Sequence, residues 1–549
     1  MLCWSSLILP VAKRAGKRHN ITSTIKKRVS SFSDVSATPQ TLELGKAGCN
    51  YQPDRFNLAK AISSKLEDGN VKAAVRLLFS DDAPAQPSLE SLAQLQAKHP
   101  AAAVDRKPFP HPDSYSSLIV DESEVLNAIR SFPAGSAGGP DGLRPQHLVD
   151  LVKSSDASQE LLSALTAFVN MVLAGHCHQD IIPVLFGGRL IALNKKAGGI
   201  RPIAIGFTLR RLIAKCASRF AAKKLDGYFA PRQLGFGSSG GCEAAVHAAR
   251  RFINSMPSDF VVAKLDFSNA FNCLHRDVML TAVKDQLPEL YNFCHLAYSQ
   301  TSFLNFGPYT ILSQEGPQQG DPLGPLLFCL AIQPLLTSLK SPFSSGYLDD
   351  LTVGGPEVLV ASDVDQVVAR GAEIGLHLNV TKCELIHHPQ YSPQTSLLRT
   401  FIPVGIDEAS LLGAPLLEGQ ELDRTLAKCC SELSNAIDKL ETLSSHDALI
   451  LLRSSFSAPK IQHILRCSPC GNHAALATFD ALLRTGISRI LNLNLSDIQW
   501  LQASLPVRDG GLGVRRVASL AIPAYMASAA STRQLQDIIL SASSAGEDP

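Results

Sequence analysis

The sequence predicts an α+β fold, a mixed sheet covered by helices on one face, followed by a helical subdomain. Three observations carry this expectation. Segments dense in β-branched residues, such as DFVVAKLDF (259–267), alternate with helical stretches through the middle of the chain. From Leu422 apolar residues recur at 426, 429/430, 433, 437, 440 and 443, a stripe of helical period. At 549 residues the chain exceeds what one hydrophobic core serves, so roughly two to four domains or subdomains are expected.

The elements follow in order. SLESLAQLQ (88–96) has helical spacing, and Pro-rich KPFPHPD (107–113) reads as a linker. SEVLNAIRSF (123–132) is a short helix that runs into the Gly/Pro-dense loop PAGSAGGPDGLRPQHL (133–148), which opens another helix. LLSALTAFVNMVL (161–173) continues at helical spacing. In 187–206, RLIALN and IRPIAI are the strands of a hairpin with KKAGG at its tip. LRRLIAKCASRFAAKKL (209–225) is an amphipathic helix with several cations assigned to its polar face. DFVVAKLDF is a strand, two helical segments lie near 276–300, and YTILSQEG (309–316) is read as a second strand of the same sheet. LGPLLFCLAIQPLLTSL (323–339) is a buried helix, YLDD (347–350) a hairpin turn, and 364–386 a helix, a turn and a strand. Helices then continue to about Leu493, with no internal repeat.

Composition narrows the class. Apolar content of 45% against 18% charged residues describes a chain able to bury a sizeable core, and a net charge of +2 would not by itself suggest nucleic acid. The charge is unevenly placed. Lys13, Arg14, Lys17, Arg18, Lys26, Lys27 and Arg28 precede the first acid, Asp34. That arm reads as a nucleic-acid or nuclear-import patch, a transit peptide, or a solvated tail. MLCWSSLILPVA lacks a charged start and no apolar run approaches the roughly 18–20 residues of a membrane helix, so a soluble chain is expected, nuclear or cytoplasmic. Thirteen scattered cysteines suit a reducing compartment; Cys467, Cys470 and His473 alone resemble a ligand set, without a second pair to complete a zinc site.

The chemistry lies in three segments, KLDFSNAF (264–271), QQGDPLGPLLF (318–328) and YLDDLTVGG (347–355). Asp266 ends a strand and Asp349–Asp350 sit in a turn. Each alone has a plainer reading, a strand-end cap or an ordinary turn pair. Together they form the carboxylate set that two divalent cations need for in-line phosphoryl transfer, and the all-oxygen donors suit Mg2+, with Mn2+ as a substitute. Lys195, Lys196 and Arg201 surround a Gly-Gly hairpin tip, apt for gripping a triphosphate or equally a solvated tip.

On these segments the chain resembles the reverse transcriptases, more closely those of non-LTR (LINE-type) retrotransposons. The resemblance spans roughly 115–530 and implies a right-hand polymerase with fingers, palm and helical thumb. It divides the chain into a basic, disordered arm (1–50), a helical and linker lead-in (51–115), fingers (116–258), palm (259–400), a primer-grip-like hairpin (401–420) and thumb with C-terminal extension (421–540). It implies Asp266, Asp349 and Asp350 as catalytic metal ligands and Lys382 as a general acid near the pyrophosphate. Phe271, five positions after Asp266, would block a ribose 2′-hydroxyl. Lys195, Lys196, Arg201, Gln319 and Gly320 would contact the nucleotide, and LLGAPL (411–416) the primer end. RNA template, DNA primer and deoxynucleotides are the implied partners, with any endonuclease supplied by another chain or a missing region. Two departures stand out: Leu348 fills a place where these enzymes usually carry Ala, and the first 115 residues are too short for a nuclease domain. A silent nucleic-acid-binding relic and an RNA-dependent RNA polymerase are the alternatives.

Overall fold

The computed structural model describes residues 55–67, 69–79, 84–112, 117–153, 158–195 and 198–541; the basic arm and Lys196 lie outside them. These residues fall into two compact units whose segments alternate along the chain, one from 84–221 and 271–327, the other from 55–79, 222–270 and 328–541. In chain order the longer strands are β1 (Gly188–Asn194), β2 (Ile200–Gly206), β3 (Phe260–Leu265), β4 (Ser302–Phe306) and β5 (Tyr309–Ser313). They continue with β6 (Phe343–Tyr347), β7 (Asp350–Pro356), β8 (Glu384–His387) and β9 (Ile402–Gly405).

The first unit holds a four-stranded sheet of order β2-β1-β4-β5. β1 and β2 form the expected hairpin, with Arg189 opposite Ile205, and β1 runs parallel to β4. Leu190, Ala192, Ala204, Leu304, Phe306 and Ile311 bury one face against Leu95 of the helix Leu89–Ala97. Each of the leucine, isoleucine and phenylalanine side chains among them contributes roughly 1.5–3 kcal/mol on burial. β5 corrects the sequence reading: it pairs with β4 rather than joining the sheet of β3. Only Gly307 and Pro308 separate β4 from β5, and a loop that short makes the two strands antiparallel neighbours.

The Pro-rich segment near 107–113 is also more than a linker. Ala103 N–H donates to Glu315 Oε1 (2.9 Å), Arg106 pairs with the same carboxylate, and Lys107 N–H donates to Asp277 Oδ2 (3.0 Å). A strap whose polar groups are satisfied by acids some two hundred residues away has no local signature.

In the second unit the sheet order is β6-β7-β3-β8-β9, with β3 central and antiparallel to both β7 and β8. Val261, Val262 and Ala263 are consecutively buried, as a strand covered on both faces requires. The helix Gln420–Leu440 buries Leu422, Leu426, Cys429, Leu433, Ile437 and Leu440, the stripe read from the sequence. Into the same core pack Ile62, Ala74 and Leu78 from two helices, Arg55–Glu67 and Val71–Phe79. The Phe79 ring packs tilted against Phe456, centroids 4.6 Å apart, beneath the Lys439 ammonium. The lead-in thus supplies part of the C-terminal helical core. SLPVRDGGLGVRR (504–516) is a tight turn: a Cβ at Gly511 would lie 2.1 Å from Leu505 O, and Val514 is fully buried. No helix among the described residues is long and apolar enough to cross a membrane.

Candidate active site

β3 ends at Leu265, and Asp266 follows at the sheet edge with its carbonyl accepting from Asn379 N–H at 2.7 Å. β7 begins at Asp350, and a two-residue turn, Leu348–Asp349, joins it to β6 with Tyr347 opposite Asp350. Leu265 lies opposite Leu351 in the antiparallel β3–β7 pair. Asp266 and Asp350 are the next residues beyond that last pair, and the charge of Asp266 is felt at Asp350. The bonding pattern of the sheet therefore brings together acids that are 84 positions apart, with Asp349 beside them in the turn.

Electrostatics agree with this placement. The Asp350 pKa is raised, first by lost hydration, then by the like charges of Asp349 and Asp266, with Lys264 opposing. Lys264 is itself engaged by Glu384 at 2.5 Å. Lys382 stands on the single 3-10 turn Val380–Lys382, its Nζ 3.8 Å from Asp266 Oδ2. Among the described residues no group of three His, Cys, Asp or Glu side chains is gathered tightly enough to hold an ion unaided. The donor set still fits a hard cation. Mg2+ takes only one or two protein carboxylates beside phosphate and water oxygens, and Asp350, its proton affinity raised partly by two neighbouring carboxylates, is an acid that a cation would favour in its charged form.

The remaining candidates lie in the first unit. Lys195 is exposed at the hairpin tip, which Lys195 N–H closes on Gly199 O at 2.9 Å, and Arg201 is exposed on β2. Phe271, half-buried, belongs to the one-turn helix Ala270–Cys273, and its ring edge passes Gly324. Gln319 O accepts from Ala204 N–H at 2.7 Å. Gly320 follows at φ +119°, and a Cβ there would lie 2.3 Å from Ala204 O, so only glycine lets this backbone approach β2.

What holds this segment was missed in the sequence. The amphipathic pattern of 209–225 leaves its cations to a polar face, but Arg210 is buried, 2% exposed, beneath residues 318–321. Its Nη1 donates to Gln318 Oε1 (2.7 Å) and Phe186 O (2.5 Å), and its Nη2 to Asp321 Oδ2 (2.6 Å). The Tyr298 hydroxyl donates to the same Asp321 oxygen at 2.5 Å. Burial alone would depress the Arg210 pKa, but the Asp321 charge and Tyr298 leave it raised. Asp321 does cap the following helix, accepting from Leu323 N–H at 3.0 Å, but its main partner is the guanidinium. Gln318 and Asp321 thus turn inward as anchors, leaving Gln319 and Gly320 presented between them. Arg276, also fully enclosed, secures the other end through Gly316 O (3.2 Å) and Ser313 Oγ (2.9 Å); burial lowers its pKa to about 10. Cys467 and Cys470 are buried thiols pushed up to about 12 and about 11 by burial, and His473 Nε2 pairs with Asp423 at 2.8 Å.

Comparison with known proteins shows what this part of the chain resembles. Residues 193–416 match the family described as reverse transcriptase (RNA-dependent DNA polymerase), a span that contains all three carboxylates. Residues 193–416 are thus similar to a reverse transcriptase domain, and the relatives the chain resembles are retrotransposon proteins. The chain is 26% identical over 438 residues to the retrotransposable element SLACS 132 kDa protein of Trypanosoma brucei gambiense, covering 75% of this chain and 35% of that protein. It is 25% identical over 455 residues to the Pol polyprotein from the type-2 retrotransposable element R2DM of Drosophila melanogaster, covering 74% and 41%. The chain therefore spans about two fifths or less of either relative. Among solved structures it matches telomerase of Candida albicans with telomeric RNA, at TM-score 0.32 and 11% identity over 58% of this chain and 68% of that one. Apo telomerase of Candida tropicalis matches at TM-score 0.33 and 12% identity over 65% and 68%. The α+β class expected from the sequence holds.

Proposed function

We propose that the chain is an RNA-directed DNA polymerase that extends a primer 3′-hydroxyl with deoxynucleotides. The observation that supports the reading is the β3–β7 register, whose last pair, Leu265 opposite Leu351, leads directly to Asp266 and Asp350. Asp266, Asp349 and Asp350 would hold divalent cations, whose charge would activate the primer hydroxyl and steady the departing pyrophosphate. Lys382, beside Asp266, would give a proton to that leaving group. Arg201 and Lys195, with Lys196, would meet the triphosphate, and Gln319 and Gly320 the base pair. Phe271 would exclude a ribose 2′-hydroxyl, because a ring fills the space and offers it no hydrogen bond. An RNA template, DNA primer and deoxynucleotides are the substrates of this proposal. Domain roles would follow the sequence division, with the palm at 259–400 and the thumb and C-terminal extension at 421–540.

Primer extension on poly(rA) with oligo(dT), Mg2+ and labelled dTTP or UTP tests the reading. Incorporation of dTTP that disappears in Asp349→Ala supports it. Preference for UTP would point to an RNA polymerase, and duplex binding without extension to a silent relic.

A further inference from the structure

We propose that Gln233 is a positioning residue that sets the conformation of the Leu348–Asp349 turn and thereby aims the two turn carboxylates. The inference rests on the polymerase reading for its consequence in catalysis, but not for its geometry. Residues 232–234 run alongside β6, with Leu234 N–H donating to Gly346 O and Gly346 N–H to Arg232 O, both at 2.8 Å. This brings the side chain of Gln233, 0% exposed, beneath the turn. Its Oε1 accepts from Leu348 N–H at 2.8 Å and from Gly235 N–H at 2.9 Å. Its Nε2 donates to Leu348 O at 3.1 Å. The partners fix the orientation of the amide, since two N–H groups face one end and a carbonyl faces the other.

Leu348 needs such a clamp. Its φ is +55°, a region that disfavours residues bearing a Cβ, and the first central position of a two-residue hairpin turn is commonly given to Gly or Asn. A residue held there persists only when its surroundings over-determine it. Gln233 does so by bonding both the N–H and the C=O of that single residue. Only a primary amide offers an acceptor and a donor side by side at this reach: Glu lacks the donor, Met lacks both, and Asn is one methylene short. The neighbours make room for it. A Cβ on Gly235 would lie 2.6 Å from Leu348 N and 2.8 Å from its Cγ, and one on Gly346 would crowd Gln233 Nε2 at 3.2 Å. Asp349 and Asp350 follow Leu348 directly, so the direction in which they leave the turn is set by the peptide that Gln233 holds.

The test compares the full chain with Gln233→Met, Gly235→Ala and the double variant Gln233→Met/Leu348→Gly. Two quantities are measured: affinity for Mn2+ alone, by titration of the free-ion electron paramagnetic resonance signal, and steady-state dTTP incorporation on poly(rA)/oligo(dT). Gln233→Met is expected to weaken Mn2+ binding and to lower kcat, each by roughly tenfold or more, with KM for dTTP within about threefold. Gly235→Ala, which intrudes on Leu348 while keeping the amide, should do the same. In the double variant glycine adopts the turn without help, so at least about a tenfold recovery of kcat over Gln233→Met is expected. Wild-type Mn2+ affinity and kcat in Gln233→Met, undiminished kcat in Gly235→Ala, or a double variant no better than the single would each overturn the assignment. A wild-type chain that incorporates no dTTP would remove the polymerase reading by itself, while the Mn2+ affinities would still decide the role of Gln233.

Discussion

Replacing Arg210 by Met would test how the nucleotide-contacting segment is held. The guanidinium is fully enclosed and is the cationic partner of Asp321, and it also donates to Gln318 and Phe186. Removing one member of a buried ion pair costs about 3–5 kcal/mol, since the other charge is left without compensation. Gln318 Oε1 would lose its donor from Arg210, on the order of 1–3 kcal/mol more; the two effects share a site and will not add fully. Phe186 O keeps the Gln318 amide at 2.8 Å, so its loss is small. A total near 5 kcal/mol should appear as local opening of residues 318–324, raising hydrogen exchange there by roughly three to four decades. Hydrogen-exchange mass spectrometry on peptides covering 316–330 reads this directly, with peptides from the C-terminal helices as an internal control. The double variant Arg210→Met/Asp321→Leu removes both charges and should recover most of the protection. Less than a tenfold change in the single variant, or a double variant as labile as the single, would refute the anchoring role.

Three further outcomes are expected. Gly320→Ala forces a Cβ against Ala204 O and should break the bond between Ala204 N–H and Gln319 O. Its kcat/KM for dTTP should fall by about 10²-fold, against unchanged primer-duplex affinity, and a fall below threefold would show the close approach to be dispensable. Phe271→Ala should admit ribonucleotides, lowering the dTTP-over-UTP preference by at least about tenfold in single-nucleotide extension; unchanged sugar discrimination would remove the gate. His247 provides a pH dependence. It is buried, accepts from Arg250 Nη1 at 2.9 Å and donates to Ser528 Oγ at 3.0 Å, and burial, followed by the Arg250 charge, lowers its pKa to about 4. The unfolded chain therefore binds the proton more readily, so this contribution is fully present above about pH 6.5 and is lost as pH falls toward about 4. On the order of 2 kcal/mol, allowing for solvent screening, should be missing at pH 4.5 and insensitive to pH in His247→Gln, as followed by urea unfolding; parallel pH profiles for the two proteins would contradict this.

The parts of the fold legible in the sequence are those whose signal is local. The β1–β2 hairpin, the buried run of β3 and the Leu422 to Leu440 stripe carry their periodicity within a single element. β4 hid because its pattern is inverted: Ser302 is buried to receive the Gln318 amide at 2.8 Å, while Phe303 is exposed. Overlooking β4 led to the misplacement of β5, whose partner strand was not seen. The three carboxylates stood out in the sequence by their order around the Gln-Gly-Asp-Pro segment, since an acid at a strand end and a pair in a turn are each ordinary. The groups that position the site were not. Arg210 meets Asp321 across 111 residues, and Gln233 meets Leu348 across 115. A cation in a helix with other cations reads as solvated, and a glutamine before a glycine reads as loop. Only the tertiary partner distinguishes a buried polar anchor from a surface residue of the same type.

The central claim is that Asp266, Asp349 and Asp350 form one cation site. Crystals of the chain grown with a primer–template, soaked with Mn2+ and a non-incorporable deoxynucleotide, would locate the ions by anomalous scattering. Peaks are expected within roughly 2.0–2.3 Å of carboxylate oxygens from Asp266 and from the Asp349–Asp350 turn, with the nucleotide phosphates completing the coordination. Mn2+ held elsewhere, or nucleotide bound with no ion touching these three side chains, would contradict the account.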